Sequence, residues 1–499
     1  MIRSFVCIAL LIGAPLGLRA QTFSSVPALL DSLQRSAALA DPTERDAALD
    51  ALWADLRAAD RIPFVAGDSA MWLWRGNAST VTVAGDHTRW NPSVAPLTRL
   101  GESDLWARAD RFPEAARLDY KLVVGGSWIL DPNNPHQQWS GFGPNSELRM
   151  PGWVFPEETV RQPGVSSGTL SPNVTITSAH VGTPVVYRVH TPAGYGAMDD
   201  LPVVYVTDGH EYADDRLGAL RIVLDNLVAA GEMEPALVVF VDPRFSGTNR
   251  RQEQYIQNQG FARFMAEDLV PAIDAAYRTR TDRDSRVILG TSLGGLFSAY
   301  LGLRHPDVFG RLAIQSPAFW VSENPSAWTG PSIYQQVQAS PDTWQIHMTT
   351  GTIHDTEAGA RRMRDVMTAR GLDVTYREVP EGHSWGNWRA LLDEAFRTLL
   401  PPRASTETEA VTPEVPVLRL GVFPNPARAF VTFEVDGSPL PVRVACVDSL
   451  GREVLAVTTA ARGEAHAVRV TTDGLAPGVY ACTATAGGVR HTRSLTVAR

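Results

Sequence analysis

The sequence predicts an α/β fold, a mostly parallel sheet covered by helices on both faces, flanked by an N-terminal and a C-terminal β-sandwich. Three observations lead there. Between residues 165 and 400, short wholly apolar runs such as Val203-Val204-Tyr205-Val206 and Leu237-Val238-Val239-Phe240-Val241 alternate with amphipathic stretches, as strands buried on both faces do when helices connect them. On either side, over 62–155 and 417–499, short segments alternate with turn residues in the manner of small antiparallel sandwiches. Between the α/β region and the C-terminal sandwich, residues 401–416 are rich in proline, threonine and glutamate; they cannot build a core and read as a semi-extended tether.

A chain of 499 residues is too long for one core and suggests two to four domains. Hydrophobic content of 44% and charged content of 20% are ordinary for globular protein. The net charge of −9, with no cluster of Lys or Arg, argues against nucleic acid or an anionic membrane as partner. Residues 1–20 combine Arg3, an apolar run from Phe5 to Leu18 and a small residue at Ala20, the pattern of a signal peptide cut before Gln21. No other apolar run is long enough to span a bilayer. Of 3 cysteines, Cys7 lies in that signal, which leaves Cys446 and Cys482 on strands of the C-terminal segment. In an exported chain they could be a disulfide or two core thiols.

In chain order, Leu29, Leu30 and Leu33, then Leu49, Leu52, Trp53 and Leu56, recur at helical spacing within 21–61 and predict two short packing helices. The first sandwich is carried by Met71-Trp72-Leu73-Trp74, Val81-Thr82-Val83-Ala84 and Tyr120-Lys121-Leu122-Val123-Val124. Its exit, Asp131 to Ser146, is rich in turn formers and is expected as an ordered loop that walls the active site. Then come a hairpin of Val174–Ser178 with Val185–His190, a helix with Phe261, Phe264, Met265, Leu269 and Ile273 on one stripe, and the strand Arg286–Leu289. Further strands are expected at Arg311–Gln315, Gln345–Thr349 and Val374–Val379, with helices at 357–370 and 385–400. Turns at Asp436-Gly437 and Asp473-Gly474 punctuate the second sandwich.

The chemistry centres on Gly290-Thr291-Ser292-Leu293-Gly294-Gly295, a Gly-x-Ser-x-Gly pattern between strand and helix. A serine hydroxyl is a weak nucleophile, so it is placed on a sharp turn above the sheet edge where a histidine can reach it. Glycines two residues to either side relieve the crowding. The following helix aims its free N–H groups at a developing oxyanion.

Such a serine needs a base, an acid that orients it and two oxyanion donors. Glu381-Gly382-His383-Ser384-Trp385 follows the last strand, which makes His383 the base over His180, His190, His210 and His354. The acid belongs after the penultimate strand, where Asp355 comes first and Glu357 second; either could instead cap the next helix. The loop Thr207-Asp208-Gly209-His210 supplies glycine-relaxed backbone, so the N–H groups of His210 and Leu293 form the expected oxyanion pair. The order serine, acid, histidine is that of the α/β-hydrolases.

At these residues the chain resembles the enterochelin-esterase and esterase-D type of α/β-hydrolase. The similar segments are Val203–His210, Arg250-Arg251-Gln252-Glu253, Glu267–Pro271, Gly290–Gly295, His305–Gly310, Gln315–Trp320 and Gly382–Trp385. The resemblance implies serine ester hydrolysis by Ser292, His383 and an acid, and makes Arg250, Glu253 and Trp320 candidate substrate-binding residues; a structural Arg and Glu pair is the alternative for the first two. Siderophore esterases bind a highly anionic iron complex, yet the loops here carry no clear basic patch. Feruloyl and acetyl-xylan esterases of the same type make a plant-polysaccharide ester the other substrate. Val83 to Pro92 resembles a motif of the immunoglobulin-like modules that precede such hydrolases and glycogen-branching enzymes, where exposed aromatics bind α-glucans. Trp90 is then either a sugar platform or interface packing.

The last segment resembles the type A sorting domain of the type IX secretion system, through Val422–Pro426, Val447–Val454, Gly474–Tyr480 and Ser494–Val497. That resemblance implies export across both membranes, removal of the domain, and release or surface attachment, with the secretion machinery as partner. The reading is thus an exported serine esterase acting on a small-molecule or carbohydrate ester, with no metal or organic cofactor, since no His/Cys/Asp cluster has ligand spacing. Its rivals are an acyltransferase on the same triad and a surface carbohydrate-binding protein with a degenerate hydrolase domain.

Overall fold

The computed structural model describes residues 23–403, 419–436, 441–448, 451–459, 466–486 and 489–498. The signal peptide of 1–20, the tether from residue 404 on, Gly437 of the expected turn and Ser449-Leu450 of the sorting motif lie outside the described residues. The chain divides into two compact units, 1–404 and 405–499.

In the first unit, α1 (Val26–Ala37) begins where the Ser25 side chain accepts the Ala28 N–H, and α2 (Pro42–Ala58) where Asp41 accepts from Thr43 and Glu44. The strands β1 (Phe64–Ala66), β2 (Ser69–Arg75), β3 (Val81–Gly85), β4 (Thr98–Arg99), β5 (Leu105–Arg111), β6 (Arg117–Val124), β7 (Ser127–Ile129), β8 (Gln137–Ser140) and β9 (Gly143–Arg149) follow. They make two antiparallel sheets, β1-β2-β5-β4 and β3-β6-β9-β8, with β7 on β6. Strand β2 is apolar on both faces because both are covered. Met71 and Leu73 pack with Leu29, Leu33, Leu52 and Leu56 of the helices, while Trp72 packs with Val83, Leu118, Tyr120 and Leu122 of the other sheet.

The central sheet is built from β10 (Thr169–Leu170), β11 (Val174–Thr177), β12 (Pro184–Thr191), β13 (Val203–Val206) and β14 (Leu237–Asp242). After a short ribbon, β15 (Arg244–Phe245) with β16 (Thr248–Asn249), it continues with β17 (Arg286–Thr291), β18 (Arg311–Gln315), β19 (Gln345–Gly351) and β20 (Asp373–Val379). The order is β10-β12-β14-β13-β17-β18-β19-β20, with β11 also on β12. From β14 to β20 every pair is parallel, whereas β12 runs antiparallel to β14, so the sheet is mixed. The chain passes from β13 outward to β14 and returns to β17 on the other side of β13. That reversal brings the loops after β13 and β17 together at the carboxyl edge, where ligands bind in open α/β sheets.

Helices cover both faces. On one side lie α3 (Gly209–Tyr212) and α4 (Leu220–Ala229), whose Tyr212, Leu220, Val223 and Leu227 share a core with Val204, Val206 and Phe240. On the other, α5 (Arg251–Tyr255) precedes the apolar stripe expected as one helix. The structure divides that stripe into α6 (Gln259–Arg263), a π-helical turn Phe264–Leu269 and α7 (Val270–Ala276). Pro271 has no N–H to continue the ladder and sits in the first turn of α7, where none is needed. The remaining helices are α8 (Leu293–Arg304), α9 (Ile333–Ala339), α10 (Glu357–Ala369), α11 (Trp385–Ala390) and α12 (Leu392–Leu399); the single helix expected over 385–400 breaks at Leu391.

The second unit has two antiparallel sheets. Strands β21 (Arg419–Phe423) and β22 (Phe430–Asp436) pair in order β21-β22-β25, and β23 (Arg443–Val447), β24 (Glu453–Thr458), β25 (His466–Thr471), β26 (Gly478–Ala486) and β27 (Val489–Val497) complete the set, with order β24-β23-β26-β27. Leu420, Val431, Phe433, Val444, Tyr480 and Leu495 form its core. Cys446 and Cys482 face each other in register on β23 and β26 and are joined by a disulfide.

Candidate active site

Ser292 stands between β17 and α8 with φ 58° and ψ −117°, a left-handed conformation that a side chain other than glycine adopts only under local constraint. The constraint comes from neighbours. The Ser292 N–H donates to Gln315 O at 3.0 Å, and Ser292 O accepts the Ala318 N–H at 2.9 Å. Gly290 and Gly294 have no room for a Cβ, since one at either position would collide with Thr207 Oγ1.

His383 follows β20. Its Nδ1–H donates to Asp355 Oδ1 at 2.6 Å, and the Asp355 side chain has no solvent exposure while that of His383 keeps 36%. The second oxygen of Asp355 accepts the Gly351 N–H (2.6 Å), the Ser316 hydroxyl (2.6 Å) and the Thr350 hydroxyl (3.2 Å). The Trp388 indole N–H donates to Ser316 Oγ at 2.9 Å, and its ring stands perpendicular to His383 at 4.9 Å. Such a network fixes both the direction of the carboxylate and the tautomer of the imidazole. Glu357 opens α10 and makes no hydrogen bond to His383.

The His210 and Leu293 N–H groups lie at the starts of α3 and α8, and among the described residues neither donates to another protein group. The His210 imidazole lies 3.4 Å from Asp242 and 3.8 Å from Glu211. Burial pushes its pKa down to about 4, against the pull of Asp242, so the ring is neutral at ordinary pH.

A cavity of about 520 Å³ joins Ser292, Leu293, Asp355 and His383 to Arg251, Gln252, Ile256, Trp320, Asn324 and His354. Trp320 is 59% exposed there. Arg250 and Glu253 are not on this cavity; they pair with each other at 3.1 Å. Arg251 is. Its Nε donates to both oxygens of the buried Asp208 (2.9 Å each) and its Nη2 to Thr291 O (3.2 Å), tying the loop after β13 to the strand that carries Ser292. The sequence holds both arginines, but neighbours on a helix point about 100° apart and local pattern does not say which faces the site.

Of the segment 131–146, expected to wall the site, no residue lines this cavity; it packs instead beside α3. Gly141 packs against the Glu211 carboxylate, Gln138 Nε2 donates to Arg216 O at 3.2 Å, and Arg216 lies over Trp139 at 4.3 Å. Trp90 donates to Asp86 Oδ1 at 3.2 Å and stacks beside Trp128 at 6.4 Å. Among the described residues no group of three or more His, Cys, Asp or Glu is placed to hold a metal ion, and no helix is long and apolar enough to cross a membrane.

Residues 178–399 match the Esterase family model, and residues 421–498 match that of the secretion system C-terminal sorting domain. An endo-1,4-beta-xylanase/feruloyl esterase of Xylanibacter ruminicola is 25% identical over 217 residues, covering 41% of this chain and 29% of that protein. An iron(III) enterobactin esterase of Dickeya dadantii is 28% identical over 217 residues, covering 40% of this chain and 48% of that protein. The chain thus spans less than half the length of these two relatives. The crystal structure of an enterobactin esterase from Shigella flexneri, determined in the presence of enterobactin, superposes with a TM-score of 0.55 at 19% identity over 66% of this chain and 92% of that one, which shows a shared fold. The chain therefore carries an esterase-family domain on a mixed α/β-hydrolase-type sheet, followed by a type IX sorting domain that marks it for secretion or cell-surface attachment.

Proposed function

We propose that the protein is a serine carboxylic ester hydrolase working through an acyl-enzyme. His383 Nε2 takes the Ser292 hydroxyl proton as Oγ attacks the ester carbonyl, and Asp355 stabilises the imidazolium through Nδ1–H. The His210 and Leu293 N–H groups receive the tetrahedral oxyanion. Collapse expels the alcohol, protonated by His383; water activated by the same imidazole then releases the acid and restores the Ser292 hydroxyl. The observation that carries this reading is the 2.6 Å pairing of His383 with a fully shielded Asp355, at a cavity that also holds a strained serine.

The substrate class we favour is a siderophore-like or polysaccharide-linked ester, feruloyl or acetyl, with Trp320 as an aromatic surface in the cavity. We read 62–155 as an immunoglobulin-like module, 165–400 as the catalytic domain and 417–499 as the sorting sandwich, with residues 1–20 as signal peptide and 401–416 as tether. Hydrolysis of short-chain p-nitrophenyl esters by the parent protein beside Ser292→Ala tests the mechanism. Loss of the nucleophile should lower turnover by about 10⁶-fold; equal rates in the two proteins would refute it.

A further inference from the structure

Arg117, the first residue of β6, is entirely removed from solvent. A buried guanidinium persists only where its charge and donors are met. Two of its partners belong to its own module: Nε donates to Glu147 and Nη2 to Asp119. The third nitrogen leaves the module. Nη1 donates to Glu381 Oε2 at 3.3 Å and to Ser384 Oγ at 3.1 Å, the residues two before and one after His383.

The backbone follows the same route. The Arg117 N–H donates to Pro380 O at 3.3 Å, and Arg117 pairs with Glu381 in an isolated parallel bridge. The guanidinium presses on Gly386 and the Asp86 carboxyl on Gly382, leaving no space for a Cβ at either glycine. Ser384 occupies the N-cap position of α11, yet its hydroxyl caps no helix N–H and serves Arg117 instead. Trp153 Nε1 meets the other oxygen of Glu381 at 3.2 Å. The segment that carries His383 is therefore held by Asp355 on one side and by the N-terminal module on the other.

We propose that Arg117 is a positioning residue for His383: by tying Glu381 and Ser384 to β6, the N-terminal module sets the imidazole against Ser292, and the esterase site is completed by two parts of the chain. This rests on the serine-esterase reading above. Removing the tie leaves the substrate cavity intact but loosens the base, and a misplacement of about 1 Å costs up to roughly a hundredfold in rate.

The test uses the full chain and p-nitrophenyl acetate, with rates expressed per site titrated by a p-nitrophenyl phosphonate that labels an active serine. Arg117→Lys retains the buried charge but not the fork that reaches Glu381 and Ser384 together. Ser384→Ala deletes one acceptor on the loop. We expect kcat per titrated site to fall about ten- to a hundredfold in Arg117→Lys and several-fold in Ser384→Ala, with KM within about twofold of the parent. A merely structural arginine would lower the number of titratable sites and leave kcat per site unchanged. If Arg117→Lys does not fold, Ser384→Ala decides alone, and an unchanged kcat overturns the assignment. If Ser292→Ala keeps the parent rate, the esterase reading falls and takes this one with it. If Ser292→Ala is inactive while Arg117→Lys and Ser384→Ala both keep the parent kcat, only the Arg117 assignment falls.

Discussion

Replacing Asp86 by asparagine isolates the electrostatics of the join between the N-terminal module and the His383 loop. Asp86 is 5% exposed, and its carboxyl accepts hydrogen bonds from the Asp119 N–H (2.9 Å) and Trp90 Nε1 (3.2 Å). Burial, and then the Asp119 charge, push its pKa from 3.8 to about 8, although the Asp119 N–H, Arg117 and Trp90 pull it down. Between those two values the folded protein holds a proton that the unfolded chain has released. Unfolding free energy therefore falls as pH rises, by about 1.4 kcal/mol per pH unit for one proton. From pH 6 to pH 8 the loss is about 2 kcal/mol, and it levels off above pH 8 as the folded carboxyl ionises. Glu381, pushed up to about 7 by burial against the pull of Arg117, adds a slope of the same sign to parent and variant alike. The difference between the two proteins is thus the readout. Asp86→Asn should flatten the profile by that amount, and it should be the more stable protein at pH 6 by about 2 kcal/mol. It is spared the roughly 3 kcal/mol that protonating Asp86 on folding costs the parent there, and loses about 1 kcal/mol because a carboxamide oxygen can satisfy only one of the two donors. All 13 tryptophans lie between Trp53 and Trp388, so urea unfolding followed by tryptophan fluorescence reports on the first unit alone. Parallel stability curves for the two proteins from pH 6 to pH 8 would refute the reasoning.

Three further outcomes are expected. Asp355→Asn presents an amide to His383 Nδ1 and favours the wrong tautomer, so kcat should fall by about 10³- to 10⁴-fold; Glu357→Gln should change it less than about twofold in the same ester assay. Gly294→Ala brings a methyl onto Thr207 Oγ1, with an expected cost of about 1–3 kcal/mol in urea unfolding and a drop in turnover as the serine turn shifts. Cys446 and Cys482 close a loop of sequence separation 36, so the double alanine variant should lose about 4 kcal/mol from the calorimetric transition of the C-terminal unit.

Much of the fold is written locally. Strands of the central sheet show as apolar runs because both faces are covered, and the turn at Ser292 shows through glycines that a strand-to-helix reversal requires. The loop bearing His383 shows as a Gly-His pair beyond the last strand for the same reason: each pattern spans fewer than about ten residues and reflects backbone geometry nearby. Other features needed the folded chain. Asp355 rather than Glu357 meets His383 because the turn after β19 aims one carboxylate inward, and Arg251 rather than Arg250 enters the cavity because the start of α5 is rotated that way. The two thiols pair because β23 and β26 lie in register. Arg117 and Glu381 meet across 264 residues, and no period or spacing in a sequence encodes such a contact. It arises when separately legible elements pack together, since burial and charge pairing are properties of the assembled surface and local pattern is a property of the strand or helix alone.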